Sequence, residues 1–501
     1  MNRWIHSKAV ILSLLIAPVL VVSTLTAQPP PRGSPGPQPP PRRPPEMHPL
    51  VIDNSTSDPV GALMSALADP TIHTIELCVD IDLTGHSGIV IGDNKSLIAK
   101  PACARGPRSF GPRIFVRDTH RGLGGLFEIR GDHVRVSGFR LEGPTCGIGS
   151  TDENLEKGII ISPVKSPDPI QSIEISNMEV FHWSGVGVQV VDNVEAAERG
   201  RLFNTNEGAV RIKNNYFHHN RHYGGDGYGV EVTAGAYALI EQNVFEENRH
   251  AIAGGSKNKD ANDYSGYTAR ENLILPGGGK HCKYSWLCWQ THQIDMHGTE
   301  GPAYCCGTAG ETIIIQRNTI LYTGGYGLVR PYDTPAYIST GVNCREVVGR
   351  WDKGYAIKIR GNPVDKAVVD GNVFKHKKQS DAISQNGSSY LFGHITKPID
   401  IRPNNKFNSD PITELSTGDF VGDGQQDQFM ATGVTWWAKS PVTNQWRYLN
   451  TMPERLSELV LRDADGDAVC DVVPKTRQPH WIPVYSKSGT SVWAPLQLIT
   501  P

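Results

Sequence analysis

The chain has no excess of charge of either sign: its 501 residues carry 49 lysines and arginines against 51 aspartates and glutamates, a formal net charge of −2. That balance removes the counterion-release attraction on which bulk binding to nucleic acid depends. Long apolar runs are absent after the first residues, so no later segment reads as a membrane span. Helical stretches are scarce, because 52 glycines and 36 prolines favour turns joined by short strands. No C-x-x-C pair occurs, and no Ser-His-Asp motif, phosphate loop or dinucleotide fingerprint stands in a supporting context.

What is present begins with "MNRWIHSKAVILSLLIAPVLVVSTLTAQ", where Arg3 and Lys8 precede an uncharged apolar run that closes on the small residue Ala27. This is the grammar of a signal peptide over residues 1–27. Leu25 is a poor residue three places before the cut, which keeps an uncleaved N-terminal anchor open. Residues 28–49 form a proline-rich, extended linker. In an exported chain, nine cysteines point to disulfides with one thiol left over. Cys282 and Cys288 on one side of "THQIDMHG", and Cys305 and Cys306 on the other, are expected to bridge two loops; zinc held with His281 is the weaker reading.

From residue 134 a phrase of alternating apolar residues keeps returning: "VRVSGFRL", "IEISNMEV", "VRIKNNYF", "LIEQNVF", "TARENLI", "IIQRNTI", "VVDGNVF". Asn215, Asn243, Asn272, Asn318 and Asn372 hold the same place in it, at spacings of 28, 29, 46 and 54 residues. After each phrase comes a glycine-rich turn and a second short strand, as in "GYGVEVT", "HAIAGG" and "HQIDMHG". Strand, turn, strand, turn at about 28 residues per coil is the pattern of a solenoid. The chain thus resembles the right-handed parallel β-helix (pectate-lyase-like) superfamily over roughly residues 60–400. The domain is assigned to residues 50–404, capped by a helix in "PVGALMSALAD" that covers the open end of the core.

The last hundred residues change character. "TGDFVGDGQQDQF" and "LRDADGDAVCDVV" resemble FG-GAP or VCBS repeats, so residues 405–501 read as a small β-rich module. Asp463, Asp465, Asp467 and Asp471 are its expected calcium ligands, because a tight acidic loop with glycine at its bend offers the oxygens that Ca²⁺ takes. The first copy carries Asp419, Asp423 and Asp427 but has Val421 where the second has Asp465, which weakens its case as a calcium site.

Chemistry is sought on the second strands, aligned on Val188, Val230, Ile252, Ile294 and Leu328. With these facing the core, the next residue faces outward, giving the column Gln189, Glu231, Ala253, Asp295, Val329; two places on, His297 shares the face of Asp295. Glu231 and Asp295, two rungs apart, would stand roughly 9 to 10 Å from each other. The phrase Asn-Arg-His occurs twice, at 220–222 and 248–250, at the turns feeding these strands. His250 and His292 start neighbouring rungs, and Arg221, Arg249 and His222 border the same groove, placed to bind an anion and move a proton. The two asparagines are expected to be structural.

Three functions remain open from sequence. The leading one is a secreted, monomeric polysaccharide lyase or glycoside hydrolase acting on an extracellular, acidic polysaccharide, with Asp295, His297, Glu231, His292 and His250 as catalytic candidates and Arg221, Arg249 and His222 binding substrate. The second is a metal-dependent hydrolase, of a phosphodiester for example, with His292, Asp295 and His297 around a divalent ion. Strand parity counts against this one, since His292 should face away from the other two unless the strand start bends. The third is a non-catalytic glycan-binding adhesin. No nucleic-acid partner and no membrane span beyond the leader are expected.

Overall fold

The structure, a computed structural model, describes residues 49–106, 108–117, 124–144, 156–162, 172–191, 209–222, 226–255, 264–278, 292–299, 306–324, 354–386, 395–463 and 466–475, with the backbone alone at 280–284, 287–290, 485–486 and 494–495. The expected leader and linker, together with Asp465, Leu328, Val329 and Cys305, lie outside these residues.

Three long sheets of 11, 9 and 9 strands run in parallel through the chain, and consecutive coils add one strand to each. This is a parallel β-helix. The first sheet runs from Leu50–Ile52 to Asp400–Ile401 and holds every recurring phrase in turn. Each phrase then bends into a short strand of the second sheet, and the glycine-rich strands form the third. Apolar residues alternate inward, so Val136, Ile175, Ile212, Ile240, Ala269, Ile315 and Val369 fall in one fully or almost fully buried core, where Phe217 and Phe245 stack with ring centroids 5.2 Å apart.

The recurring asparagine makes the bend between the first two sheets. Asn214, Gln242, Glu271, Arg317 and Gly371 precede it with φ of 56, 59, 58, 52 and 61°, a left-handed turn that leaves backbone groups outside the strand ladder. The side-chain amides fill that gap. Asn215 donates to Asn243 Oδ1 at 3.0 Å, Asn243 to Asn272 at 3.1 Å, Asn272 to Asn318 at 2.9 Å, Asn318 to Asn372 at 3.0 Å and Asn372 to Asn405 at 3.1 Å. Each amide also donates to a backbone carbonyl, and each Oδ1 accepts the preceding ladder member's N–H, as Asn318 does from Asn272 at 3.0 Å.

The helix Pro59–Ala68 is present as the cap. Asp58 accepts from the Gly61 N–H at 2.9 Å, and Leu63, Ala66 and Leu67 cover the first coil. Lys95 Nζ donates to the Ala66 carbonyl at 3.1 Å near the helix end. Cys78 and Cys103 form a disulfide, Cys306 is disulfide-bonded as well, and Cys470 is the one free cysteine among the described residues. The expected bridge to Cys282 or Cys288 involves side chains outside the described residues.

At the C-terminus two four-stranded antiparallel sheets build a small β module. Met430, Trp437 and Trp446 of the module pack with Val244, Leu273, Leu275 and Leu321 of the β-helix. Among the described residues no helix is long and apolar enough to cross a membrane.

Candidate functional site

The third sheet sets the site. Val188 pairs with Val230, Val230 with Ile252 and Ile252 with Ile294, the register expected from sequence. The fifth rung differs. The strand paired with Ile294–Met296 is Ile357–Ile359, so Lys358, and not Val329, lies beside Asp295, and Arg360 follows His297. The outward column therefore reads Gln189, Glu231, Ala253, Asp295, Lys358.

Asp295 is the hub and is 0 % exposed. Arg360 grips it with both arms of its guanidinium, Nε to Oδ1 at 3.1 Å and Nη2 to Oδ2 at 2.8 Å. His292 Nε2 lies 3.0 Å and His297 Nε2 2.7 Å from the same Oδ2, and His250 Nε2 lies 3.9 Å from it. The parity objection to His292 falls away. His292 precedes the strand Ile294–Met296, so the pleat does not fix its direction, and its ring reaches the face of Asp295. Burial opposes ionisation of Asp295, but His292 and His297 outweigh it and hold the carboxyl well below its usual range. Burial likewise drives His292 down to about 4, with Asp295 offsetting only part, and pushes His250 well below its ordinary value, helped by Arg249 and His292.

His297 is the member of this group that reaches solvent, its side chain 25 % exposed. Its backbone N–H donates to the Gly254 carbonyl at 2.8 Å, extending the ladder past the strand end. Gly298 must follow it, because a Cβ there would sit 1.9 Å from the Cys306 carbonyl oxygen and 2.3 Å from that of Arg360.

Glu231 is half-buried on the same face, two rungs from Asp295. Gln189 donates to its Oε2 at 2.6 Å, and Lys157 holds Gln189 at 3.1 Å. Burial raises the Glu231 carboxyl, and the Gln189 bond offsets only part of this. Small Ala253 stands between the two acids and is buried with Val186 and Tyr228.

The two Asn-Arg-His phrases coincide at asparagine and then diverge. Asn220 donates to Asn248 Oδ1 at 2.9 Å, a second buried amide ladder, as expected. His250, however, pairs with Tyr228 and not with His222, because the first copy carries extra residues before its strand begins. Tyr228, His250 and His292 stack as a ring column with centroids 5.4 and 4.4 Å apart. His222 sits at the turn before that strand, with its N–H donating to the Asp226 carbonyl at 3.2 Å. Arg221 is buried and pairs with Glu247, and Arg249 donates to Tyr228 Oη at 3.0 Å. The structure thus gathers Asp295, His297, His292 and His250, places Glu231 along the same face, and holds Arg221 in a separate ion pair. Arg360 and Lys358 were missed from sequence, although "AIKIRG" repeats the alternation and closing glycine of "QIDMHG".

Two groups of side chains have donor atoms close enough to hold a metal ion among the described residues: His250, His292 and Asp295, and Asp419, Asp423 and Asp427. The second group lies in the first acidic loop, where Val421 is packed in the module core. Asp419 accepts the N–H groups of Gly422, Asp423 and Gly424. Asp427, 0 % exposed, accepts from Phe420 and Val421 through Oδ2, while its Oδ1 has no hydrogen-bond partner among the described residues. Burial, then Asp423, raises its carboxyl to about 7. In the other loop Asp463 accepts from Gly466 at 2.7 Å and Ala468 at 3.0 Å, Asp467 accepts from Val469 at 2.8 Å, and Asp471 is buried.

No family model matches the sequence, and no curated protein does. Among solved structures, tailspike protein 3 of bacteriophage CBA120 aligns over 81 % of this chain and 70 % of its own, at 12 % identity and a TM-score of 0.22.

Proposed function

We propose that this chain is a secreted or cell-surface enzyme that cleaves an acidic polysaccharide by β-elimination. The observation that carries the reading is the partly exposed His297, 2.7 Å from a carboxylate that is itself fully buried and gripped by Arg360. A buried acid that fixes an imidazole at a groove is the arrangement of a general base. Hydrolysis by two carboxyl groups fits less well, because Asp295 has both oxygens engaged and no surface to offer a sugar or a water.

In the proposed step, His297 takes the proton from the carbon next to the uronate carboxylate. The electron pair forms the ring double bond as the glycosidic C–O bond breaks, and the Glu231 carboxyl, which burial favours in its neutral form, delivers a proton to the leaving oxygen. Lys358, beside Asp295, neutralises the substrate carboxylate, whose charge grows toward the enolate as the C–H bond breaks. Incubation with a panel of uronate-containing polysaccharides tests this. Unsaturated oligosaccharides are expected from the native chain and none from His297→Ala; products that have gained water would mean hydrolysis, and binding without cleavage would mean an adhesin.

One observation favours a second reading, a divalent ion held by His250, His292 and Asp295. It would displace Arg360 from Asp295, since a guanidinium already supplies the positive charge there. Metal analysis of the purified chain and loss of activity with a chelator would establish it. In the module, calcium at Asp419, Asp423 and Asp427 is proposed on the strength of the buried Asp427 Oδ1, with calcium at Asp463, Asp465, Asp467 and Asp471 as the parallel site.

A further inference from the structure

Two arginines meet where the module packs on the β-helix. Arg105, in the bend after the strand Ser96–Ala99, is 3 % exposed. Arg447 lies in the module strand Trp446–Asn450. Their Nη1 atoms stand 3.5 and 3.4 Å from one oxygen, Asn177 Oδ1, so two cations share a single neutral acceptor. Arg105 Nη2 donates to Gln445 Oε1 at 2.5 Å. Three further donors, Arg105 Nε, Arg447 Nε and Arg447 Nη2, are buried with no acceptor among the described residues. Glu179 attracts both arginines, with its Oε1 3.0 Å from His218 Nε2 and its Oε2 buried without a hydrogen-bond partner among the described residues. One carboxylate against two guanidinium groups leaves a net positive charge, and buried donors without acceptors are costly.

We propose that Arg105 and Arg447 form a binding site for a small inorganic anion, a phosphate or a halide, which clamps the C-terminal module onto the β-helix. The planar donor forks suit such an ion, which would accept from the three orphaned N–H groups and balance the charge pair. The apolar contact of Met430, Trp437 and Trp446 with Val244, Leu273 and Leu321 supplies attraction without direction. The anion would fix the register of that contact at its polar edge. The site is independent of the groove and of the chemistry proposed there.

The test uses the full chain in thermal unfolding, with phosphate raised at an ionic strength held constant by a bulky organic sulfonate. A saturating rise in Tm of about 2–4 °C is expected. Arg447→Gln should lose the rise and, having shed an uncompensated charge, should melt no lower than the native chain without phosphate. No rise with phosphate or chloride, or an equal rise in Arg447→Gln, overturns the proposal. If that variant does not fold, a bromide-soaked crystal of the native chain decides. An anomalous peak within hydrogen-bond reach of Arg447 Nη2 supports the site, and a map without one there rejects it.

Discussion

Replacing Arg360 by methionine removes the guanidinium that bonds both oxygens of Asp295. Two hydrogen bonds to the carboxylate are lost, at 3.1 and 2.8 Å, along with the contact of Nη2 with His292 Nε2 at 3.1 Å. The native carboxylate is 0 % exposed, and an apolar methionine in place of the guanidinium offers it no donor. Orphaning one member of a buried ion pair costs about 3–5 kcal/mol, whereas removing both members together costs far less. A double-mutant cycle of Arg360→Met, Asp295→Leu and the combined variant should therefore show a coupling of about 3 kcal/mol in urea unfolding at pH 7. Arg360→Met should also abolish activity even where the protein remains folded, since His297 loses its fixed partner. A single-variant cost below about 1 kcal/mol, with no coupling, would show that Arg360 does not hold Asp295, and the general-base reading would lose its foundation.

Asn318→Ala leaves the Asn272 N–H and side-chain amide without their acceptor and the Ala269 carbonyl without a donor, a cost of about 3–4 kcal/mol readable as a lowered urea midpoint. His182 is buried, and burial lowers its pKa with Glu142 offsetting only part. The unfolded chain then binds the proton first, so this contribution to stability is present above the ordinary histidine value of about 6.5 and is lost as pH falls below it. His182→Gln should shrink the drop in Tm between pH 7 and pH 5, and an unchanged drop would contradict the assignment. Lys358→Ala should raise the Kd for a uronate oligosaccharide more than for a neutral one in calorimetric titration, and equal effects on both would remove its role in reading the carboxylate.

Much of the β-helix is legible because its devices repeat. The amide ladder needs asparagine at successive bends, so the residue recurs at the same place from Asn215 to Asn372, and the inward column of the third sheet runs in register from Val188 to Ile294. Legibility ends where a coil carries an insertion. Tyr326 and Leu328 imitate the strand pattern closely enough to draw the alignment away from Ile357, and with it from Lys358 and Arg360. Parity left His292 open for a related reason: the alternation rule applies to pleated backbone, and the strand begins only at Ile294. The Asn-Arg-His repeat was half informative. Its asparagines stack, while local insertion puts Tyr228, and not His222, beside His250. Nothing in the spacing signals that Asp295 would be wholly buried, the observation on which its proposed role as anchor of His297 rests.

The most direct measurement is a crystal structure of His297→Ala with an acidic oligosaccharide that the native chain cleaves. The account predicts a uronate seated over Ala253, its carboxylate on Lys358 Nζ, the adjacent C–H facing the space vacated by the imidazole, and the glycosidic oxygen toward Glu231. An oligosaccharide bound on another face of the β-helix, or one whose scissile bond lies beyond reach of both position 297 and Glu231, would contradict it.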